Sequence, residues 1–241
     1  MTQTLDGQTA LITGASRGIG RAIALAFAER GCALALTART EEALEPVAKA
    51  CRQRGAPAVV SHAADLVQPT EVDRLARDVQ GTGRDIDILV NNAGIGAPGN
   101  ATTGDPDDWE RMLAINLHAP MRLSRHLAPA MVERERGAII NIGSVAAVEG
   151  MTNNGAYAAA KHGLRGWSLS SYRHLRGHGI KVTLINPGLV ATDMQQGNTR
   201  AREERMIRPD DVAAAALFAV TTSPMCCPEE ITLRLTRYAY E

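Results

Sequence analysis

Apolar residues fall along this chain in short unbroken blocks, separated by longer stretches in which they recur every three or four positions. The blocks read as strands and the periodic stretches as helices. Thr9–Thr13 is the first block, and helical spacing carries over 20–30. Strands are predicted at 33–37, 58–61, 86–90, 138–142, 181–185 and near 231–235. Between them the spacing predicts helices over 41–54, 70–80, 106–116, 119–134, 156–177 and 209–221. The strand blocks are apolar throughout rather than alternating, which implies burial on both faces. Strands alternating with crossover helices imply an α/β fold, a doubly wound parallel sheet with helices on both faces.

The chain has 241 residues and is 45% hydrophobic, enough for one domain with a substantial core. No Pro/Ser-rich linker or repeat divides it, so 1–241 is read as a single domain. Lys plus Arg and Asp plus Glu number 26 each. That balance argues against a nucleic-acid partner, which usually demands a basic excess. No apolar run approaches a membrane span, and the start lacks a basic stretch followed by an apolar one, so no secretory leader is predicted. The four cysteines, Cys32, Cys51, Cys226 and Cys227, show no metal-ligand spacing. They read as thiols of a reducing, cytoplasmic compartment. The six histidines form no ligand cluster either, and no metal site is assigned.

Candidate chemistry begins between the first strand and the first helix, at Thr13-Gly-Ala-Ser-Arg-Gly-Ile-Gly20. Gly14, Gly18 and Gly20 allow backbone angles closed to other residues and a close approach to a diphosphate. Ser16, Arg17 and Ile19 complete the turn, and the helix start that follows offers unpaired N–H groups to anions. The glycine spacing is T-G-x-x-x-G-x-G, and in it the chain resembles the short-chain dehydrogenase/reductase family. The resemblance extends over about 8–193 and returns at 208–212. It implies a Rossmann-like fold, and it is nearest to the branch of 3-oxoacyl-carrier-protein and carbonyl reductases.

An acidic residue at the end of the second strand would hydrogen-bond a ribose 2′-hydroxyl and repel a 2′-phosphate. Ala38 stands there instead, followed by Arg39, with Arg17 in the turn. Two guanidiniums could face one phosphate, and in the family basic residues at these places go with NADP. The cofactor is therefore read as NADP(H) rather than NAD(H); two solvent-facing arginines are the bland alternative. The resemblance implies further contacts. Asp65 and Leu66 match the adenine-contacting pair. Asn92, Ala93 and Gly94 belong to the N-N-A-G motif. Pro187 and Gly188 form the nicotinamide-side turn, and Val190 and Thr192 hold the carboxamide.

Tyr157 and Lys161 stand at i and i+4 and share a helix face. An ammonium beside a phenol lowers the phenol's pKa, which suits proton exchange near neutrality. Ser144 lies 13 residues before the tyrosine, and Asn116 further upstream. The four match the family's Asn–Ser–Tyr–Lys tetrad. The resemblance implies reduction of a ketone or aldehyde to an alcohol. Ser144 would polarise the carbonyl, Tyr157 protonate its oxygen, Lys161 bind the nicotinamide ribose, and Asn116 hold a water that resupplies protons.

The substrate is less determined. Ala146, Val148, Met151, Asn154, Leu189 and Met194 are the candidate wall, with 189–208 as a substrate lid. Arg200, Arg202 and Arg205 read either as a solvated face or as an attractor for acidic groups. A 3-oxoacyl group is a natural comparison, but Arg134-Glu135-Arg136 and His178 form a mixed set where carrier-docking relatives are basic. The chain also lacks the family's usual V-D-G-G ending. Met121, Leu164, Trp167 and Leu169 are read as outward residues of the two long helices, some of them belonging to the intramolecular core, and the family implies a homodimer or homotetramer. The residues leave two alternatives open: a dehydrogenase running in the oxidising direction, and a catalytically silent nucleotide-binding regulator.

Overall fold

The structure, a computed structural model, describes residues 4–195 and 202–237. Its strands are β1 (Thr9–Thr13), β2 (Ala33–Ala38), β3 (Val59–Ala63), β4 (Ile88–Asn91), β5 (Gly137–Ile142), β6 (Ile180–Pro187) and β7 (Glu230–Leu233). All pair in parallel, in the order β3-β2-β1-β4-β5-β6-β7. The order reverses between β1 and β4, the kind of switch point beyond whose strand carboxyl ends open α/β sheets bind ligands.

Seven α-helices lie among the described residues: α1 (Gly18–Ala28), α2 (Glu45–Gln53), α3 (Pro69–Gln80), α4 (Pro106–Leu113), α5 (Ala119–Glu133), α6 (Gly155–Leu175) and α7 (Pro209–Thr221). They cover both faces of the sheet, which explains why β1 is apolar at consecutive positions. Ala10 and Ile12 enter one layer with Phe27, Val47 and Val212, while Leu11 enters the other with Leu75, Leu123 and Val182. The doubly wound arrangement read from the sequence is the one observed.

Local departures have local causes. β3 is one of the two edge strands and only partly covered, with Val60 43% exposed, so its block reads as less apolar than the central ones. α2 starts at Glu45, four residues later than the periodicity predicts, with Pro46 in its first turn. Of the four residues read on the outward faces of the long helices, Leu164 is the one in the core, whereas Met121, Trp167 and Leu169 are half-buried. The break predicted between the helices over 106–116 and 119–134 is instead a π-helical turn, Ala114–His118, joining α4 to α5. Pro120 has no N–H for the Asn116 carbonyl, so an α-helical bond at that point is chemically impossible. Widened turns of this kind cluster at functional sites.

Candidate active site

Four segments meet at the carboxyl ends of the central strands: the turn after β1, the Asn91–Gly94 stretch after β4, the Gly143–Ser144 corner after β5, and Pro187–Gly188 after β6. The Thr13 hydroxyl ties the first two together. It donates to the Val90 carbonyl at 3.2 Å and accepts from the backbone N–H groups of Asn92 and Ala93 at 2.9 and 3.0 Å. The Asn92 amide donates back to the Thr13 carbonyl at 2.8 Å.

That stitching presses the turn against its neighbour so closely that only glycine fits. Gly14 has φ +64°, and a Cβ there would lie 2.9 Å from the Ala93 Cα. A Cβ on Gly20 would lie 2.4 Å from the Gly14 carbonyl oxygen. α1 opens directly from this turn, and no side chain caps its first N–H groups. A bare helix start behind a glycine cradle suits a diphosphate. Among the described residues no group of three His, Cys, Asp or Glu is placed to hold a metal ion.

Ser144, Tyr157 and Lys161 converge beside this cradle. Ser144 leaves β5 in extended conformation, and its Oγ accepts from Ala146 N at 3.1 Å. The Ser144 hydroxyl is near enough to the Tyr157 phenol to act on its acidity. Lys161 is 4% exposed, with Nζ 5.6 Å from the Tyr157 ring centroid and donating to the Ile142 carbonyl at 2.8 Å. Burial lowers its pKa to about 8. Burial is also the dominant influence on Tyr157, whose pKa is raised, the Ser144 hydroxyl opposing the rise. The sequence-based expectation that Lys161 would lower the Tyr157 pKa is therefore not met in this state. The ammonium is turned to a backbone carbonyl rather than to the phenol oxygen.

Asn116 sits at the centre of the π turn, 1% exposed. Its side chain is fully engaged with Ile95: Oδ1 accepts from Ile95 N at 3.0 Å and Nδ2 donates to Ile95 O at 2.8 Å. Of its polar groups, the backbone carbonyl is the one to which Pro120 offers no hydrogen.

The remaining sequence-predicted residues fall unevenly around the site. Arg39 is exposed at the end of β2, whereas Arg17 is paired with Asp193 at 3.1 Å. Leu66 is buried, and the Asp65 carboxylate accepts from Val67 N at 3.1 Å, bracing its own turn. Val190 is buried and bridges Ile207, so the two ends of the 189–208 segment are joined. The Thr192 methyl group lies where a Gly18 Cβ would meet it at 3.2 Å. Val148, Met151 and Met194 are exposed apolar side chains, and Leu189 is half-buried. Ala146 is completely buried, which removes it from any substrate wall. Asn154 lies in a short backbone ladder with Gly99, where Gly155 N donates to Gly99 O at 3.0 Å. Arg202 is exposed and Arg205 half-buried, while Arg200 and the middle of the expected lid, 196–201, lie outside the described residues.

Several residues of this region were not singled out from the sequence. Asn141 and Asn186 are buried polar groups inside β5 and β6, and they sit near Asn91, the buried first residue of the N-N-A-G motif. Asn91 Nδ2 donates to Asn141 Oδ1 at 2.8 Å, and Asn141 Nδ2 to Ser168 Oγ at 2.9 Å. A polar residue inside a fully buried strand block was the available signal, since such a group must find a partner.

The nucleotide-type fold and the Ser–Tyr–Lys cluster at its switch point describe an oxidoreductase, and comparison with known proteins gives its family. The model of the short chain dehydrogenase family matches residues 8–203, and the chain belongs to that family. It is 35% identical to the 3-oxoacyl-[acyl-carrier-protein] reductase FabG of Salmonella typhimurium, over 95% of this chain and 88% of that one. It is 32% identical to an uncharacterized oxidoreductase of Staphylococcus saprophyticus, over 95% and 98%. Among solved structures, a metagenomic short-chain oxidoreductase in complex with NADP superposes with a TM-score of 0.85 at 36% identity, covering 97% of this chain and 99% of that one. A putative NAD(P)-dependent gluconate 5-dehydrogenase from Beutenbergia cavernae, with bound NADP, gives 0.88 at 30% identity, covering 96% and 97%.

Proposed function

We propose that this protein is an NADPH-dependent carbonyl reductase that converts a ketone or aldehyde to an alcohol. The observation that carries the reading is the convergence of Ser144, Tyr157 and Lys161 beside a glycine turn with no room for a Cβ at Gly14 or Gly20. Bound NADPH supplies the hydride. The chain's residues orient the carbonyl and manage the proton. Ser144 donates a hydrogen bond to the carbonyl oxygen and stabilises the negative charge that grows there. Tyr157 gives that oxygen its proton from the phenol oxygen. Lys161, buried at the root of the tyrosine, binds the nicotinamide ribose hydroxyls and compensates phenolate when it forms. The Asn116 carbonyl, lacking an α-helical donor because of Pro120, accepts from the water that returns a proton to Lys161.

The preference for NADPH rests on Ala38 in place of an acid and on the exposed Arg39 beside it, with NADP in both structural relatives described above as support. Arg17 joins Arg39 on the 2′-phosphate by leaving Asp193. The substrate is read as a small carbonyl compound that arrives without a carrier protein. Supporting this, Arg134 and Arg136, in the region where carrier-docking relatives are basic, are paired with Asp85 and Asp87, each at 3.0 Å. Met121, Trp167 and Leu169 on α5 and α6 form part of the surface on which two copies of the chain pair.

The test is NADPH oxidation over ketones, aldehydes, quinones and 3-oxoacyl thioesters, with Tyr157→Phe as the blank. The parent is expected to turn over at least one class, and Tyr157→Phe to lose at least about a hundredfold in kcat with little change in NADPH affinity. Substantial turnover by Tyr157→Phe would overturn the assignment.

A further inference from the structure

The corner that carries Ser144 is held by a relay of polar side chains that begins on the same helix as Tyr157 and Lys161. Arg165 lies on α6 one turn beyond Lys161. It grips Glu230 through Nε, at 3.0 and 3.1 Å, and through Nη2, at 3.0 Å. Glu230 opens β7, and its Oε1 accepts from Asn186 Nδ2 at 2.7 Å. Asn186, on β6, is completely buried, and its Oδ1 accepts from the Ser144 backbone N–H at 3.2 Å. Gly143 leaves space for this amide, since a Cβ there would lie 2.1 Å from Asn186 Oδ1.

The chemistry of the relay fixes its direction. An ionised carboxylate only accepts hydrogen bonds, so the Asn186 nitrogen must face Glu230 and its oxygen must face Ser144. Arg165 holds the carboxylate in a two-pronged grip, which sets the carboxylate plane as well as its position. Backbone pairing of β6 with β7 does not need these groups. Burying an amide and half-burying an ion pair is a costly way to fill space that apolar residues fill elsewhere in the sheet.

We propose that Glu230 and Arg165 are positioning residues of the reduction, acting through Asn186 to hold the Ser144 hydroxyl over the reacting carbonyl. The inference rests on the reading of Ser144 as the donor to the carbonyl oxygen. It adds that the geometry of this donor is set from the C-terminal strand, remote from the cradle.

The experiment is a double-mutant cycle on a carbonyl substrate found active in the panel above. Steady-state kinetics are measured for the parent, Glu230→Leu, Glu230→Gln, Arg165→Met, Ser144→Ala and Ser144→Ala/Glu230→Leu, with the thermal midpoint of each. Losing an oxyanion donor outright costs about a hundredfold or more, so displacing it should lower kcat about tenfold in Glu230→Leu and Arg165→Met. The KM for NADPH is expected to stay unchanged. Glu230→Gln keeps one oxygen for Asn186 but turns an NH2 donor towards the donor-only Arg165, so its kcat should fall between those of the parent and Glu230→Leu. With Ser144 already removed, Glu230→Leu should cost nothing more, because coupled residues are non-additive. An equal loss in both backgrounds, no loss at all, or a Glu230→Gln as active as the parent would overturn the proposal. If Glu230→Leu does not fold, the same cycle with Arg165→Met decides. A parent inactive on every carbonyl sinks the underlying functional reading itself, a result distinct from all of these.

Discussion

Lys161 concentrates the residue-scale cost of this site. Its ammonium is wholly enclosed, and burial pulls its pKa from 10.5 to about 8. A cation whose folded pKa lies below its unfolded value penalises folding at any pH below both. The penalty fades as pH rises from about 8 towards 10.5, because there the unfolded chain binds the extra proton. The cofactor-free parent should therefore gain stability relative to Lys161→Met between pH 7 and pH 10, followed by urea unfolding. A stability difference that stays constant over that range would show that the ammonium is not desolvated. At this scale the sequence revealed the residues but not their partners. The Tyr157–Lys161 spacing places both on one face. Nothing in it announces that Lys161 will face the Ile142 carbonyl, because that contact depends on where β5 ends against α6. Asp193 was equally invisible as the partner of Arg17, since 176 residues separate them along the chain.

Among the elements, the first helix shows how tertiary contact overrides propensity. Replacing glycine by alanine inside a helix ordinarily stabilises it by about 1 kcal/mol. At Gly20 the added methyl would meet the Gly14 carbonyl oxygen at 2.4 Å and Asn92 Nδ2 at 2.5 Å. The first of these is backbone and cannot swing away. Overpacking of this kind costs about 1–3 kcal/mol, so the net effect of Gly20→Ala should be destabilising. A lower urea midpoint at unchanged slope is the expected reading, together with weakened NADPH binding; a stabilised protein would mean that the cradle yields. Most elements were legible because each buried strand and amphipathic helix carries its own period. The π turn was not. Its pattern resembles a helix end, and only the pairing of Asn116 with Ile95, from a distant loop, shows why the helix continues.

For the molecule as a whole, stability should follow the cofactor. A ligand bound only by the native state adds RT ln(1 + [L]/Kd), about 2.7 kcal/mol at a hundredfold excess over Kd. For a chain of this size that corresponds to a rise of roughly 5–10 °C in thermal midpoint. NADPH should produce it, NADH at the same concentration much less, and Arg39→Asp should close the gap. Equal shifts in the Arg39→Asp variant and the parent would remove Arg39 from the phosphate site. The global topology was readable because the hydrophobic blocks, their spacing and the glycine turn all agree on one arrangement. What lay beyond reach was the long-range polar wiring between sheet ends, which periodicity does not encode.

The bridge between Val190 and Ile207 carries one more implication. Ala191 N donates to Ile207 O at 2.9 Å and Ile207 N to Leu189 O at 3.0 Å, so the stretch between departs and returns through one fastened point. Its near end is not free of the rest of the site, since Asp193 pairs with Arg17 and the Thr192 methyl lies against Gly18. Lengthening such a loop costs little extra closure entropy, about 0.6 kcal/mol per doubling. A donor enzyme's residues spliced between the two anchors should therefore retune selectivity without loss of cofactor binding only if Thr192 and Asp193 are retained.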